Sequence, residues 1–219
     1  MVAIEEIEHI RTPFLKYTRK AFRRLPNLGK CRILDVGCGS GVPTVELAKL
    51  SDGEVVGIDI DQSCINKLNQ KILEQNLSNR VRALCVSVFK VDFADESFDV
   101  IWSEGVLSGI DFETALKNWR RLLKRNGYLV IHYQVLSVKD LISRIPKFGY
   151  TLVDTVLLPK DIWWTQFYKP LEEKMSTLHR KYASNLDALT LLKQCQREIV
   201  MVKENPRNFS SAFYILKKI

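Results

Sequence analysis

Residues Ile33 to Gly41 read ILDVGCGSG, and eighteen positions after Gly41 comes Asp59, in the run VVGIDID. Ile33, Leu34 and Val36 have the apolar density of a strand buried on both faces, and Gly37, Gly39 and Gly41 then allow a tight turn. A helical pattern from Val42 to Leu50 and a second apolar run from Glu54 to Ile58 complete a strand, turn, helix and strand that ends in a carboxylate. The combination reads as a nucleoside-binding βαβ unit, because the glycines let a ligand lie against the backbone at the strand ends and the next helix N-terminus.

The alternation continues outward. Strand-like runs at Arg32 to Val36, Glu54 to Ile58, Val81 to Val86, Phe98 to Ser103 and Tyr128 to Tyr133 are separated by helical patterns at Val42 to Leu50, Cys64 to Gln75 and Phe112 to Leu123. This spacing predicts an α/β fold, a parallel sheet with helices on both faces. Val138 to Phe148 reads as a further helix stopped by Gly149, Thr151 to Leu158 as a sixth strand and Phe209 to Leu216 as a seventh. Residues 4 to 25 read as one or two helices ended by the turn Pro26-Asn27-Leu28-Gly29. The helical stretch from Pro159 to Asn208 is too long to be a turn and is expected to form an insertion or lid. Its Trp163, Trp164, Phe167 and Tyr168 suit either the wall of an acceptor pocket or the insertion's own core. The expected organisation is one domain: a helical cap over 1–29, a core over 30–158, the insertion over 159–208 and a final strand over 209–219.

Composition sets the broad class. With 46% apolar and 26% charged residues over 219 positions, the chain has the balance of a soluble globular protein. No run approaches the roughly 18 apolar residues of a membrane span. The amphipathic, acidic start MVAIEEIEHIR does not resemble a secretory signal. Five cysteines with no C-x-x-C pair predict free thiols in a reduced, cytoplasmic setting. The net charge of +8 is uneven: Arg11 to Lys30 holds seven basic residues and no acid. Lys16, Arg19, Lys20, Arg23 and Arg24 project to one side of a helix whose other side carries Phe14, Ala21, Phe22 and Leu25. That pattern predicts a solvated face on a docked helix; the other reading is a surface for an anionic substrate or nucleic acid.

The detail of the glycine turn narrows its ligand. A dinucleotide fingerprint needs a third glycine three positions after the second, and Val42 stands there. Asp35 adds negative charge where a pyrophosphate needs neutral or positive surroundings. Both features argue against an NAD enzyme and favour a ligand with a cationic centre and no phosphate.

Asp35-Val36-Gly37-Cys38-Gly39-Ser40-Gly41 resembles the first motif of the class I S-adenosylmethionine-dependent methyltransferases, and the likeness continues in register. The resemblance implies a Rossmann-like, doubly wound seven-stranded sheet of order 3-2-1-4-5-7-6 with the last strand antiparallel, S-adenosyl-L-methionine as cofactor and S-adenosyl-L-homocysteine as product. It places Asp35, Gly37, Cys38, Gly39 and Gly41 against the cofactor. It places Asp59 on the ribose, whose two hydroxyls a carboxylate accepts bidentately, and Ile60 over the adenine face. In VSVFKVDF, Ser87 stands where the family often has an Asp bonding the adenine amino group; its hydroxyl accepts that bond more weakly, and the Val88 N–H reaches the ring. Ser103 and Glu104, in IWSEGVLSGIDF, fall where the family's fourth strand meets cofactor and substrate. The WSEG run and the later GY…LLPKDIWWTQFY segment look most like a largely uncharacterised bacterial and archaeal subgroup, which carries Tyr-Asn at the positions of Ser108-Gly109. Lys124-Arg125-Asn126-Gly127 replaces the family's usual turn before the fifth strand.

Methyl transfer from a sulfonium is an in-line displacement of an already activated group, so positioning and desolvation carry much of it; an amine or hydroxyl acceptor also needs a base. Glu104, His132 and Tyr133, at the ends of the fourth and fifth strands, are the candidates by topology. Glu104 reads first as a contact to the cofactor's ammonium group and second as a base. No metal site is expected. No Asn-Pro-Pro-Tyr, Asp-Pro-Pro-Tyr or Pro-Cys run exists, which disfavours methylation of exocyclic adenine or amide nitrogens and of cytosine carbon. Cys38 inside the turn reads as a small packing residue. The expected function is methyl transfer to a small-molecule acceptor; the alternatives are an RNA methyltransferase, motivated by the basic helix, and a non-catalytic S-adenosylmethionine-binding sensor or partner subunit.

Overall fold

The computed structural model of the chain describes residues 2–105, 110–135 and 142–219. In chain order the main elements are α1 (Val2–Arg11), α2 (Leu15–Phe22), β1 (Arg32–Val36), α3 (Val42–Leu50), β2 (Glu54–Asp59), α4 (Gln62–Glu74), β3 (Val81–Cys85), β4 (Phe98–Glu104), α5 (Phe112–Trp119), β5 (Leu123–Gln134), β6 (Tyr150–Leu157), α6 (Lys169–Lys181), α7 (Leu186–Glu204) and β7 (Ser211–Lys218). Two compact units result, one of residues 16–157 with 212–219, the other of residues up to 15 with 158–211.

The first unit is a seven-stranded sheet of order β3-β2-β1-β4-β5-β7-β6. β1 to β5 run parallel where paired, and β7 is antiparallel to β6. Central β1 is apolar on both faces because both are covered: Ile33 and Leu34 have no exposed surface. On one face a core of Phe98, Ile101, Phe112, Trp119, Leu129 and Tyr150 closes against α5. The helices begin where side chains cap them. Asp61 accepts the Ser63 N–H at 2.7 Å ahead of α4, and Asp111 accepts the Thr114 N–H at 2.9 Å ahead of α5.

Several expected boundaries move, two of them for a clear physical reason. β5 starts at Leu123 instead of Tyr128: Phe98 pairs with Leu123, Val100 pairs with Tyr128, and Lys124 to Gly127 form an irregularity within the strand, with Asn126 at φ +61°. The helix expected over Val138 to Phe148 is a 3-10 helix over Ile142–Phe148, with Pro146 inside it; positions 138–141 lie outside the described residues. Pro146 has no N–H to extend an α-helical ladder there.

The second unit is helical. Ile7 and Ile10 of α1 share one core with Leu171 and Leu178 of α6 and Leu192 and Ile199 of α7. Phe167 and Tyr168, from the π-helical turn Trp164–Tyr168, are buried in it, with Trp163 and Trp164 packed alongside. All four aromatics therefore serve the insertion's own core, the second of the two readings above. The Arg11 guanidinium lies over the Trp163 and Phe167 rings at 5.7 and 5.6 Å. Residues 2–15, read from the sequence as part of one cap over 1–29, thus pack with the late helices, whereas residues 16–29 belong to the sheet unit.

Candidate active site

The glycine turn hangs from the end of β2. The N–H groups of Gly37 and Cys38 both donate to the Ile58 carbonyl, at 2.8 and 3.0 Å. The Gly39 N–H donates to Asp59 Oδ2 at 2.9 Å, and the Asp61 N–H donates to Asp59 Oδ1 at 2.9 Å. Asp59 therefore braces the turn and the start of α4 at once. Gly39 has φ +52°, and a Cβ built there would meet nothing within 4 Å. The turn thus opens onto clear space at its middle residue, the geometry of a backbone surface that a ligand can approach closely. Gly41, at φ +84°, differs: a Cβ there would lie 2.2 Å from Leu68 Cδ1, so this glycine serves the packing of α4 against the turn.

Three carboxylates, Asp59, Asp35 and Glu104, stand at or near the ends of the neighbouring strands β2, β1 and β4. Asp35 is buried and accepts the Thr44 hydroxyl at 2.6 Å. Burial pushes its carboxyl up to about 7; the Thr44 bond opposes the shift, and the Glu104 and Asp59 charges add to it. Glu104, at the end of β4, accepts two donors on Oε1: the Thr18 hydroxyl at 2.9 Å and the Trp102 indole N–H at 2.7 Å. Because β4 alternates faces and Trp102 bonds Glu104, these two share one face, and the register of Asp35 with Trp102 adds Asp35 to it. His132 stands opposite Glu104 on β5 and stacks on Phe213, ring centroids 4.7 Å apart.

Other predicted residues frame the same strand ends. Ile60 is 78% exposed directly after Asp59, an apolar side chain left uncovered at the tip of β2. The Val86 N–H donates to the Asp59 carbonyl at 2.8 Å, tying the segment of Ser87 and Val88 to the end of β2. The Ser87 hydroxyl accepts the Phe89 N–H at 3.3 Å. Cys38 is buried, and its thiol is pushed up by burial with the Asp35 and Asp59 charges adding, which makes it a packing group. Ser103 is set apart. Lying between Trp102 and Glu104 in the strand, it faces the other side of the sheet, where its hydroxyl is buried without a hydrogen-bond partner among the described residues. Tyr133 likewise packs in the core of that opposite face, against Phe112. Gly109 and Ser108 lie outside the described residues.

Four contributors escaped the sequence reading. Thr18 and Trp102 hold Glu104, and Thr44 holds Asp35. Gly57 is the fourth: a Cβ there would come within 2.9 Å of Leu68 Cδ2 and 3.1 Å of Cys38 Sγ. A glycine inside a strand two residues before Asp59 was a readable sign of close approach; the other three carry no local signal. Two cations of the basic helix have acidic partners. Arg19 forms a two-pronged pair with the buried Glu46 of α3, at 2.6 and 3.1 Å, and Arg24 reaches Asp154 at 3.5 Å.

In fold, and over part of its sequence, the chain is similar to S-adenosylmethionine-dependent methyltransferases. Residues 34–131 match the family model described as a methyltransferase domain. The 27-O-demethylrifamycin SV methyltransferase of Amycolatopsis mediterranei is 29% identical over 108 residues, 49% of this chain and 40% of that protein. The chain spans about half the length of the curated relatives it matches, 54%, 42% and 40% for three of them. Two solved structures share the fold. A methyltransferase from Thiobacillus denitrificans in complex with S-adenosyl-L-homocysteine has a TM-score of 0.72 at 15% identity, covering 93% of this chain and 91% of that one. The [4+2]-cyclase SpnF has a TM-score of 0.77 at 19% identity, covering 93% and 80%.

The residues present fit the family's cofactor. Clear space before Gly39, an exposed isoleucine beside the braced carboxylate, and a buried acid at the base suit a nucleoside joined to a cationic amino-acid end. No described helix is long and apolar enough to cross a membrane.

Proposed function

We propose that the chain transfers a methyl group from S-adenosylmethionine to a small-molecule acceptor. The observation that carries this reading is the open middle of the glycine turn, beside the Asp59 carboxylate that accepts the Gly39 N–H. When bound, the cofactor supplies an activated methyl group for in-line displacement. Gly37, Gly39 and Gly41 give the backbone surface for it, Asp59 accepts the ribose hydroxyls, and Ile60 covers one face of the adenine. The Ser87 hydroxyl and the Val88 N–H meet the adenine edge. Asp35 and Glu104 supply negative charge for the amino-acid end. Ser103 contributes through the backbone of β4, since its side chain faces away from the carboxylates. An imidazole nitrogen of His132, held by its stack on Phe213 and set beside Glu104 in the register, takes the proton when the acceptor is an amine or hydroxyl.

A small acceptor is supported by the relative named for 27-O-demethylrifamycin SV, whose name specifies a small molecule. The basic helix gives RNA little support, because Arg19 is engaged with Glu46 and Arg24 with Asp154 within the sheet unit. The test is to incubate the full chain with S-adenosylmethionine and a panel of small hydroxyl, amine and thiol acceptors and to follow S-adenosylhomocysteine by mass spectrometry. Product that depends on one acceptor class supports the reading. Cofactor binding with no product across the panel favours the sensor or partner-subunit alternative, and product only with RNA favours the RNA methyltransferase.

A further inference from the structure

We propose that Thr18, on helix α2, is a positioning residue that fixes Glu104 for recognition of the cofactor's amino-acid end. The proposal rests on the cofactor reading above and extends it to a residue 86 positions away in sequence from the carboxylate it serves.

The geometry is specific. A glutamate at a strand end has three rotatable side-chain bonds and, left to solvent, samples many orientations. Glu104 is held at one oxygen by two donors that are themselves immobile. Thr18 Oγ1 lies 2.9 Å from Oε1 and 3.3 Å from Oε2, and Trp102 Nε1 lies 2.7 Å from Oε1. Thr18 is 1% exposed and Trp102 is fully buried, with Trp102 packed between the rings of Phe22 and Phe213. Neither donor can follow a carboxylate that swings away.

Helix α2 is pinned at the adjacent residue. Arg19 makes its two-pronged pair with Glu46, which is 7% exposed on α3, the helix that begins at the glycine turn. The consecutive residues Thr18 and Arg19 therefore join the end of β4 to the helix behind the turn. Asp35 stands opposite Trp102 in the paired strands β1 and β4, so the Glu104 carboxylate that Trp102 and Thr18 hold lies on the same face of the sheet as Asp35. Two carboxylates held at fixed separation recognise a cation; one fixed and one mobile carboxylate do so at the expense of conformational entropy.

The test compares two neutral thioethers that share the nucleoside and differ in the amino-acid end. S-Adenosylhomocysteine carries the ammonium and carboxylate, and 5′-methylthioadenosine lacks both. Binding of each is measured by calorimetry to the full chain, to Thr18→Val and to Thr18→Ser. The valine is close in shape and has no hydroxyl. It should lose roughly tenfold in affinity for S-adenosylhomocysteine, the scale of one hydrogen bond to a charged group, and less than twofold for 5′-methylthioadenosine. Thr18→Ser keeps the donor and should restore the affinity. Equal losses for both ligands would mean a general structural role and overturn the proposal, as would unchanged affinity in Thr18→Val. If Thr18→Val fails to fold, Glu104→Gln, which keeps an acceptor for both donors but removes the charge, must show the same selective loss. If the unaltered chain binds neither ligand, the cofactor reading itself fails; if it binds both and Thr18→Val discriminates nothing, only the Thr18 proposal does.

Discussion

Replacing Asp35 by asparagine should stabilise the chain at alkaline pH while weakening its hold on the cofactor. Asp35 is fully buried, and its carboxyl is raised from 3.8 to about 7. The folded chain binds this proton more tightly than the unfolded chain does. The corresponding stability is fully present below pH of about 4 and is lost as pH rises through about 7. At about 1.4 kcal/mol per pH unit, the loss totals on the order of 4 kcal/mol, of which about 2–3 kcal/mol falls between pH 5 and pH 8. The asparagine side chain of the variant keeps an oxygen for the Thr44 hydroxyl and carries no charge near Glu104 and Asp59. Urea unfolding of both proteins, without cofactor, at pH 5 and pH 8 isolates the effect, since every other titrating group is common to the two. The variant should gain about 2–3 kcal/mol on the original chain between the two pH values. A stability difference identical at both would refute the reasoning, because it would mean that the buried carboxyl titrates as it does in the unfolded chain.

The same ionisation governs binding. Affinity of the original chain for S-adenosylmethionine should fall as pH drops below 7 and level off above it, whereas Asp35→Asn should bind at least tenfold more weakly at pH 8, with no such slope; calorimetry across pH 5.5 to 8.5 reads both. Gly41→Ala forces a left-handed φ on a residue whose Cβ lies 2.2 Å from Leu68 Cδ1; a loss of about 2–3 kcal/mol is expected by urea unfolding, with partial recovery when Leu68 is also shortened to alanine. Arg19→Ala leaves the buried Glu46 carboxylate without its two-pronged partner and should lower Tm; adding Glu46→Gln should recover most of it. A Tm unchanged by Arg19→Ala would remove the pin assigned to α2.

The strand and turn from Ile33 to Gly41, and Asp59 after them, were legible because each obeys a local rule: apolar density for a doubly covered strand, glycine for a turn, a carboxylate at a strand end. Strand limits were less legible where local and tertiary signals disagree. Arg125-Asn126-Gly127 reads as a turn, yet β5 passes through it because Leu123 still pairs with Phe98. The supports of the site were illegible for a different reason. Thr18 and Thr44 are single hydroxyls within helices, and only the fold reveals that their partners are Glu104 and Asp35, 86 and nine positions away. Periodicity likewise marked Trp163, Trp164, Phe167 and Tyr168 as an apolar group without saying what they pack against. The answer, a core shared with Ile7 and Ile10, depends on a segment more than 150 residues upstream.

Asp59 is the residue on which the cofactor assignment turns. Its carboxylate braces the Gly39 N–H and is assigned the ribose hydroxyls, so binding of S-adenosylhomocysteine to the full chain and to Asp59→Ala is the most direct measurement. The unaltered chain should bind, and Asp59→Ala should weaken binding by about 1.5–3 kcal/mol, with a loss of similar size for 5′-methylthioadenosine because the two ligands share the ribose. No binding by the unaltered chain, or an affinity unchanged in Asp59→Ala, would contradict the cofactor assignment.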